Sequence, residues 1–196
     1  MKQVVAFDFD GTLTTKDTLL EFIRYACGSW PFAVGFLRYA PLLVLMKLGL
    51  YPNYKAKQRV FAHFFRGMSL ADFDKRCRDF ANNNRHLLRP QGIKALEQAV
   101  AKGDDVLVVS ASIDNWVRPF FEGDRIPIIV GTQIEVENGL LTGRFLTRNC
   151  YGQEKVNRIL ALYPHRNEYY LTAYGDSRGD KELLAFADES YYKPFR

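Results

Sequence analysis

Hydrophobic residues of this chain fall into short continuous runs, separated by segments with helical spacing. The runs at 4–9, 105–109 and 169–174 are rich in β-branched or aromatic residues and have the length of buried strands. Continuous apolar runs of this kind are typical of parallel strands that are covered on both faces. We therefore predict a central parallel sheet from these three strands, with 128–130 as a fourth strand and 191–192 as a weaker fifth.

Helical patterns lie between the predicted strands. Residues 91–102 place their apolar side chains on one face and are followed by Gly103, a favourable C-terminal stop for a helix. Residues 152–162 have the same pattern, and residues 180–187 predict a short helix. Strands that alternate with helices predict an α/β fold whose crossover connections are right-handed.

The stretch 133–145 has a different pattern. Apolar residues flank Asn138-Gly139, a dipeptide that favours a two-residue hairpin turn. We predict a β-hairpin here that projects from the sheet.

Residues 15–89 contain no convincing strand, and the segment is too long to be a loop inside a compact domain. We interpret it as a helical insertion that lies over the carboxyl ends of the strands. The chain would then consist of an α/β core, residues 1–14 and 90–196, and a helical cap, residues 15–89.

Within the insertion, residues 30–51 are apolar on both faces of a helix. A 4-3-4-3-4 spacing defines one face, which consists of Phe32, Phe36, Tyr39, Leu43, Met46 and Leu50. A helix that is apolar all round is buried, or meets lipid or a partner. Pro31, Arg38, Pro41 and Lys47 interrupt the run, so we do not expect a transmembrane helix. We favour two cap helices packed on each other over contact with a membrane.

Composition and charge narrow the functional classes. A net charge of +5 and a pI near 9.1 favour anionic partners such as phosphorylated metabolites, anionic lipid or nucleic acid. The basic residues are scattered and form no nucleic-acid motif, so we expect no nucleic-acid partner. Cys27, Cys77 and Cys150 have neither CxxC nor zinc-site spacing, which fits a reducing compartment. The N-terminus lacks the pattern of a signal peptide, so we expect a cytoplasmic protein. The sequence does not indicate an oligomeric state.

Two carboxylates follow the first predicted strand, in Asp8-Phe9-Asp10-Gly11-Thr12. Strand alternation places Asp8 and Asp10 on the same face, and Gly11 permits a turn that other residues resist. Two acids at the end of a buried strand can hold a divalent cation, and one of them can attack an electrophile. Taken alone, the stretch fits an ordinary polar turn equally well.

Polar side chains also follow the other strands. Ser110 follows the second strand, where a hydroxyl and the free N–H groups of a helix start would form an anion site. Lys155 lies in the first turn of a predicted helix, where its charge opposes the helix dipole unless an anion is nearby. Asp176 and Asp180 flank a glycine-rich turn that suits a hard cation. Each of these also has an ordinary explanation: a helix cap, a surface lysine and a tight turn.

Together the four motifs are more specific than any one of them. The order Asp-x-Asp-Gly-Thr, strand-end Ser, helical Lys and Gly-Asp-x-x-Gly-Asp resembles the motifs of the haloacid dehalogenase superfamily of phosphohydrolases. The resemblance covers essentially the whole chain and implies a Rossmann-like core. The helical insertion after the first motif is similar to the C1-type cap of the phosphoserine-phosphatase-like branch, subfamily IB. One departure is Gly179, where many relatives have Asn.

The resemblance implies a Mg²⁺-dependent phosphomonoesterase. Asp8 would be the nucleophile that forms an aspartyl-phosphate, and Asp10 would be the general acid and then the general base. Mg²⁺ would be bound by the Asp8 carboxylate, the Asp10 backbone carbonyl and the Asp176 carboxylate, with Asp180 in support. The phosphoryl group would be held by Gly11, Thr12, Ser110, Ala111 and Lys155.

The resemblance indicates the substrate less closely. In phosphoserine phosphatases an acid on the first cap helix and a later Arg bind the amino acid, and Asp17 and Arg59 have comparable positions here. The expected substrate is a small phosphorylated metabolite.

Two alternatives remain. The chain is similar to a bacterial subgroup that includes phosphatidylglycerophosphate phosphatases, which implies a lipid phosphate as the alternative substrate. Arg38 and Lys47, at the edges of the apolar segment, suit peripheral contact with an anionic membrane. The third hypothesis is a non-catalytic phosphate-binding module, which would leave Asp10 without a role.

Overall fold

The protein is organised around a parallel β-sheet. The computed structural model describes residues 1–121 and 127–196, and for Lys47 the backbone alone. Its strands are β1 (Lys2–Phe7), β2 (Asp105–Ile113), β3 (Ile128–Thr132), β4 (Ile134–Glu137), β5 (Leu140–Phe145), β6 (Tyr169–Gly175) and β7 (Glu189–Tyr192). Five of them form one sheet in the order β3-β2-β1-β6-β7, with every neighbouring pair parallel. The predicted α/β fold with a central parallel sheet is confirmed, including its weakest strand.

Two strand ends differ from the prediction. β1 ends at Phe7, because the chain turns at Asp8. β2 continues through Ser110 to Ile113, and the next helix begins only at Asp114. The expected helix start directly after Ser110 is therefore wrong, since the chain stays extended there.

Eight α-helices are described. They are α1 (Thr18–Cys27), α2 (Ser29–Lys47), α3 (Asn53–Phe65), α4 (Leu70–Asn83), α5 (Pro90–Lys102), α6 (Asp114–Val117), α7 (Gln153–Leu162) and α8 (Lys181–Phe186). Three of them, α5, α7 and α8, lie within about a turn of the helices predicted from periodicity. Gly103 follows α5 in the left-handed conformation, at a φ of +84°, which glycine adopts without strain.

The two faces of the sheet bury separate apolar cores. Alternation along β1 directs Val5 and Phe7 to one face, and Val4 and Ala6 to the other. The first face is continuous with α5, α6 and a cluster of aromatic rings in residues 15–89. The second face is covered by α7 and α8. Because helices cover both faces of the sheet, the strands are apolar at successive positions and do not alternate with polar residues.

The segment from 15 to 89 contains α1 to α4. Its two ends meet, because Thr14 pairs with Leu88 and the Arg89 amide donates to the Leu13 carbonyl at 2.8 Å. The helices pack through tilted and edge-on aromatic rings, among them Phe22, Phe65 and Phe73. The division into a core and a cap at residues 14/15 and 89/90 remains our interpretation.

The predicted hairpin forms from β4 and β5, and its turn residues Asn138 and Gly139 both have positive φ. The hairpin does not project freely. The Gly67 amide donates to the Leu141 carbonyl at 2.8 Å, and Leu70 donates to Gly139 at 2.9 Å. These hydrogen bonds join β5 to the segment between α3 and α4, so the expectation of a projecting hairpin is corrected.

The apolar segment is one helix and not two. α2 continues through Pro41, an exposed position where a missing N–H leaves a carbonyl that water can reach. The face predicted from the 4-3-4-3-4 spacing is the packed one as far as Leu43, whereas Leu50 lies beyond the helix and is exposed. This face packs on α3, as expected for two cap helices, but the opposite face of α2 is exposed, so helix packing covers only one of the two apolar faces. The Lys47 side chain, predicted at the edge of the apolar segment, lies outside the described part of the chain.

Candidate active site

Three neighbouring strands bring the predicted motifs together. β2, β1 and β6 lie side by side, and their carboxyl ends carry Ser110, Asp8 and Asp176. These residues line a cavity of about 610 Å³ whose other wall is formed by α1, α2 and α3. Crevices at the carboxyl ends of parallel strands are the usual binding sites of open α/β sheets.

Asp8 is held in one orientation by two donors. The Lys155 ammonium donates to Oδ1 at 2.6 Å, and the Thr12 hydroxyl donates to Oδ2 at 3.0 Å. The Asp8 amide donates to the Tyr174 carbonyl at 2.9 Å, which joins the turn to β6. Burial raises the pKa of Asp8 to about 7, against the opposing effect of the Lys155 charge.

Lys155 is a buried cation among carboxylates. Its ammonium also donates to Asp180 Oδ1 at 2.6 Å and to the Val109 carbonyl at 2.8 Å, so all three of its N–H bonds have acceptors. Burial alone would lower the pKa of Lys155, but Asp8 and Asp180 outweigh that effect and raise it. The alternative of a solvated surface lysine is therefore wrong.

Asp10 lies at the wall of the cavity. Its Oδ1 accepts hydrogen bonds from the Thr18 amide at 2.7 Å and the Thr18 hydroxyl at 2.6 Å, at the start of α1. The Ser112 hydroxyl donates to Oδ2, and the Ser110 hydroxyl lies 3.5 Å from the same oxygen. These bonds fix the Asp10 carboxylate between the first insertion helix and β2.

Asp180 organises the loop after β6. Its Oδ2 accepts from the Asp176 amide at 3.2 Å and from the Ser177 amide and hydroxyl at 3.0 and 2.8 Å. Burial opposes its ionisation, but Lys155 and Ser177 prevail and hold the pKa of Asp180 below its ordinary value. Its oxygens are already occupied by protein donors, so Asp180 positions this loop and Lys155.

Asp176 has a carboxylate oxygen that is available to bind a ligand. Its Oδ1 is buried and has no hydrogen-bond partner among the described residues, while Oδ2 is paired with Arg196. Single oxygens from Asp8, Asp176 and Asp180 all lie within 4.8 Å of one another. Three buried carboxylates against one buried ammonium leave excess negative charge, and carboxylate oxygens are the ligands that Mg²⁺ prefers. The residues present therefore fit a divalent cation between Asp8 and Asp176.

The predicted phosphate ligands divide into two groups. Gly11, Ser110, Ala111 and Lys155 line the cavity. Thr12 is buried beneath it, where its hydroxyl orients Asp8. Gly11 has a φ of +84°, and a Cβ at this position would lie 2.5 Å from Asp176 Oδ2. The glycine is thus required both by its backbone conformation and by the close approach of the two motifs.

The two predicted substrate residues have different positions. Asp17 lines the cavity and also caps α1, because its carboxylate accepts from the Leu19 amide at 2.9 Å. Arg59 is exposed, with its guanidinium 5.4 Å from the centre of the Tyr51 ring, and it is not among the described lining residues. Lys57, two residues earlier on α3, lines the cavity in its place.

Tyr151 and Arg196 are among the lining residues that were not predicted from the sequence. Arg196 forms an ion pair with Asp176, and the adjacent Phe195 ring stacks on Tyr174 at 5.5 Å. A Cβ at Gly179 would lie 2.5 Å from the Tyr151 ring. Gly179, where many relatives have Asn, was the one sequence feature that pointed to Tyr151, because only glycine leaves room for the Tyr151 ring.

Much of the cavity wall formed by the insertion is apolar. Its apolar residues are Leu19, Leu20, Phe36, Leu43, Met46 and Val60, and its polar residues include Lys16, Asp17, Asn53 and Lys57. The wall formed by the sheet is polar and charged, while the wall formed by the insertion offers an apolar surface with charged side chains beside it.

Comparison with known proteins agrees with this geometry. Protein CicA of Caulobacter vibrioides is 36% identical over an alignment 197 positions long, which covers 98% of this chain and 86% of CicA. A protein of unknown function from Bordetella pertussis Tohama I has a similar structure, with a TM-score of 0.84 and 19% identity over 97% of this chain and 89% of that chain.

A phosphoserine phosphatase also has a similar fold, and it was solved as the analogue of its phospho-aspartyl intermediate. Its TM-score is 0.58, at 16% identity over 96% of this chain and 85% of that chain. The predicted likeness to phosphoserine phosphatases in fold is therefore confirmed.

The model of the haloacid dehalogenase-like hydrolases matches residues 5–185. This range contains the four motifs and the whole helical insertion. The chain therefore belongs to the haloacid dehalogenase-like hydrolase family.

Proposed function

We propose that this protein is a Mg²⁺-dependent phosphomonoester hydrolase that acts through an aspartyl-phosphate on a small phosphorylated metabolite in the cytoplasm. The observation that carries the proposal is the buried carboxylate of Asp8, fixed by Lys155 and Thr12 at the base of a cavity that Asp176 also lines. Membership of a hydrolase family supports the reaction class. The phospho-aspartyl analogue of a phosphoserine phosphatase of similar fold supports the covalent intermediate.

Asp8 is the nucleophile in this proposal. One of its oxygens attacks phosphorus, the bond from phosphorus to the ester oxygen breaks, and an aspartyl-phosphate forms. Thr12 and Lys155 keep the carboxylate in one orientation, so little ordering is needed at the moment of attack. Phosphoryl transfer depends mainly on positioning and on stabilisation of charge, and this site provides both.

Mg²⁺ would be bound by the carboxylates of Asp8 and Asp176 and the backbone carbonyl of Asp10. When bound, it would reduce the repulsion between an anionic nucleophile and an anionic phosphate.

Asp10 transfers the protons. It gives a proton to the leaving alkoxide, and its carboxylate then takes a proton from the water that attacks the aspartyl-phosphate. This second attack releases inorganic phosphate and restores Asp8. The hydrogen bonds from Thr18 and Ser112 keep the Asp10 carboxylate at the cavity wall during both steps.

Ser110, Ala111 and Gly11 would hold phosphoryl oxygens, because they line the cavity beside Asp8. Lys155 acts mainly through Asp8 and Asp180, since its three N–H bonds already have protein acceptors. Asp17 and Lys57 are the charged residues that could recognise the rest of a polar substrate.

The experiment compares wild-type protein and Asp8→Asn with an aryl phosphate and Mg²⁺. Wild type should release phosphate, and Asp8→Asn should be slower by a factor of about 10³ or more. Acid-quenched wild type should carry one added phosphoryl group on the peptide that contains Asp8. Asp79→Asn, on α4 with a half-exposed side chain, is the matched control and should behave like wild type. Activity retained by Asp8→Asn would refute the nucleophile, and an inactive wild type would favour a binding module.

A lipid phosphate is the second candidate substrate. The apolar wall made by Leu19, Phe36, Leu43 and Met46 favours it, because a polar metabolite gains nothing from such a surface. A phosphometabolite screen that includes phosphoserine and phosphatidylglycerophosphate distinguishes the two candidates. A preference of at least tenfold in kcat/KM for the acylated substrate would assign the lipid phosphate.

A further inference from the structure

The outer surface of α2 is an exposed apolar stripe. Its members recur at 4-3-4-3-4 spacing: Trp30, Val34, Leu37, Pro41, Val44 and Leu48. Trp30 is 79% exposed, Leu37 78% and Leu48 67%. At 1.5 Å per residue the stripe extends for roughly 27 Å. A contiguous apolar surface of this length marks an interaction site.

The opposite face of α2 is held by the rest of the protein. Phe32, Phe36 and Leu43 pack against the core, and α2 approaches α3 so closely that a Cβ at Gly35 would lie 2.3 Å from the Phe64 ring. Residues 29–46 are long and apolar enough to cross a membrane by length and composition. A spanning helix would have to leave these contacts, whereas a helix lying in the plane of a membrane keeps them.

The sequence segment that contains the stripe is positively charged, and this charge indicates which kind of partner the stripe binds. Between Phe22 and Ala71 the sequence contains seven Lys or Arg residues and no Asp or Glu. The rest of the chain has slightly more acidic than basic residues, so the positive charge of the protein is concentrated in this segment. Arg24, Arg38 and Lys55 are exposed within it. A segment that is apolar on its exposed face, basic and free of acidic residues complements an anionic bilayer, which attracts nearby cations.

A second copy of the chain fits this surface less well. The spacing of the stripe also suits a helix pair. Two copies packed through α2 would, however, bring two basic segments together with no acidic residue to offset them.

We propose that α2 docks in the plane of an anionic membrane surface, with the stripe from Trp30 to Leu48 in the interfacial region. The other face of α2 contributes Phe36, Leu43 and Met46 to the wall of the catalytic cavity. Docking would therefore place the cavity beside the membrane. This link to catalysis rests on the proposed function, whereas the docking itself does not.

The test is co-sedimentation with phosphatidylcholine vesicles, with and without one third phosphatidylglycerol. Wild type should bind the anionic vesicles and be released by 1 M salt. Leu37→Glu/Val44→Glu should lower the vesicle partition coefficient by about tenfold or more, because two charges enter the apolar stripe. Leu146→Glu/Leu162→Glu is the matched control, since both residues are exposed and lie outside α2. The control should bind like wild type.

Tryptophan emission gives a second measurement. Trp30 is exposed on the stripe, whereas Trp116 is 1% exposed in the core. Anionic vesicles should shift the wild-type emission to the blue, and Trp30→Phe should remove that shift.

Absence of binding by wild type, or equal binding by the stripe and control variants, would overturn the proposal. So would a solution dimer that Leu37→Glu/Val44→Glu separates, because the stripe would then be occupied by a second copy. Binding involves no turnover, and hydrolysis of an aryl phosphate by the same preparations tests the proposed function separately.

Discussion

At the scale of single residues, the charge of Lys155 dominates the site. It is the one buried ammonium in the described cavity wall, and it lies 2.6 Å from both Asp8 and Asp180. A buried carboxylate is tolerated only when it is paired, so the two acids depend on this one cation.

Lys155→Met should therefore destabilise the protein. Loss of the ammonium leaves Asp8 and Asp180 unpaired, and breaking a buried pair costs about 3–5 kcal/mol of unfolding free energy. Urea denaturation measures the change, and saturating Mg²⁺ should restore part of it. Lys181→Met, at an exposed position on α8, should stay within about 0.5 kcal/mol of wild type. A Lys155→Met protein as stable as wild type would show that the pair is not formed.

The titration of Asp8 should govern metal affinity. Burial raises the pKa of Asp8 to about 7, and a cation binds only the ionised carboxylate. Below pH 7, Asp8 must lose a proton for each cation bound, so the affinity for Mg²⁺ should fall by about tenfold for each unit that the pH is lowered. Above pH 7, Asp8 is already ionised and the affinity should change little with pH. Calorimetric titrations with Mg²⁺ from pH 5.5 to 8.5, in buffers of different ionisation enthalpy, measure both the affinity and the proton release. An affinity independent of pH between 5.5 and 7 would contradict the raised pKa.

The individual motif residues were predictable because the ends of parallel strands meet at one edge of the sheet. Asp8, Ser110 and Asp176 follow this rule directly. Lys57 and Tyr151 were missed because their places depend on the rotation of α3 and on the loop before α7, which no local pattern specifies. Arg196 reaches the site through the packing of Phe195 on Tyr174, a contact between residues that form no recognisable motif.

At the scale of elements, the faces of α2 show what periodicity can determine. The spacing correctly separated two apolar faces, but it could not tell which one the protein covers. Pro41 was interpreted as a break, yet its missing N–H is tolerated at an exposed position of the helix. α2 also stays continuous through Pro41 because the rest of the protein supports it: packing against α3 holds the segments before and after Pro41 in line.

The close contact between Gly35 and the Phe64 ring should be needed for α2 to pack on α3. Gly35→Leu places side-chain atoms where the Phe64 ring lies, and relief of this clash should lower the free energy of unfolding by about 1–3 kcal/mol. Hydrogen exchange of the α2 amides should increase. Ala33→Leu, on the exposed side of the same helix, is the matched control and should change neither quantity. Equal effects of the two substitutions would mean that α2 is not closely packed on α3.

At the scale of the whole molecule, the α/β alternation predicted the fold, because continuous apolar strands require cover on both faces. The two apolar cores on either side of β1 match that expectation. The orientation of the hairpin was not predictable, since it depends on backbone hydrogen bonds to the segment between α3 and α4. The same assembly joins a charged wall from the sheet to a wall from the insertion that is largely apolar but also carries Asp17 and Lys57.

The central claim is that Asp8 and Asp176 share one divalent cation at the base of this cavity. The most direct measurement is the anomalous difference map of crystals grown with Mn²⁺ in place of Mg²⁺. We expect a single strong peak at about 2.1–2.2 Å from one carboxylate oxygen of each residue, and its loss in Asp176→Asn. A well-ordered site without that peak, or with a cation bound to only one of the two carboxylates, would contradict the account.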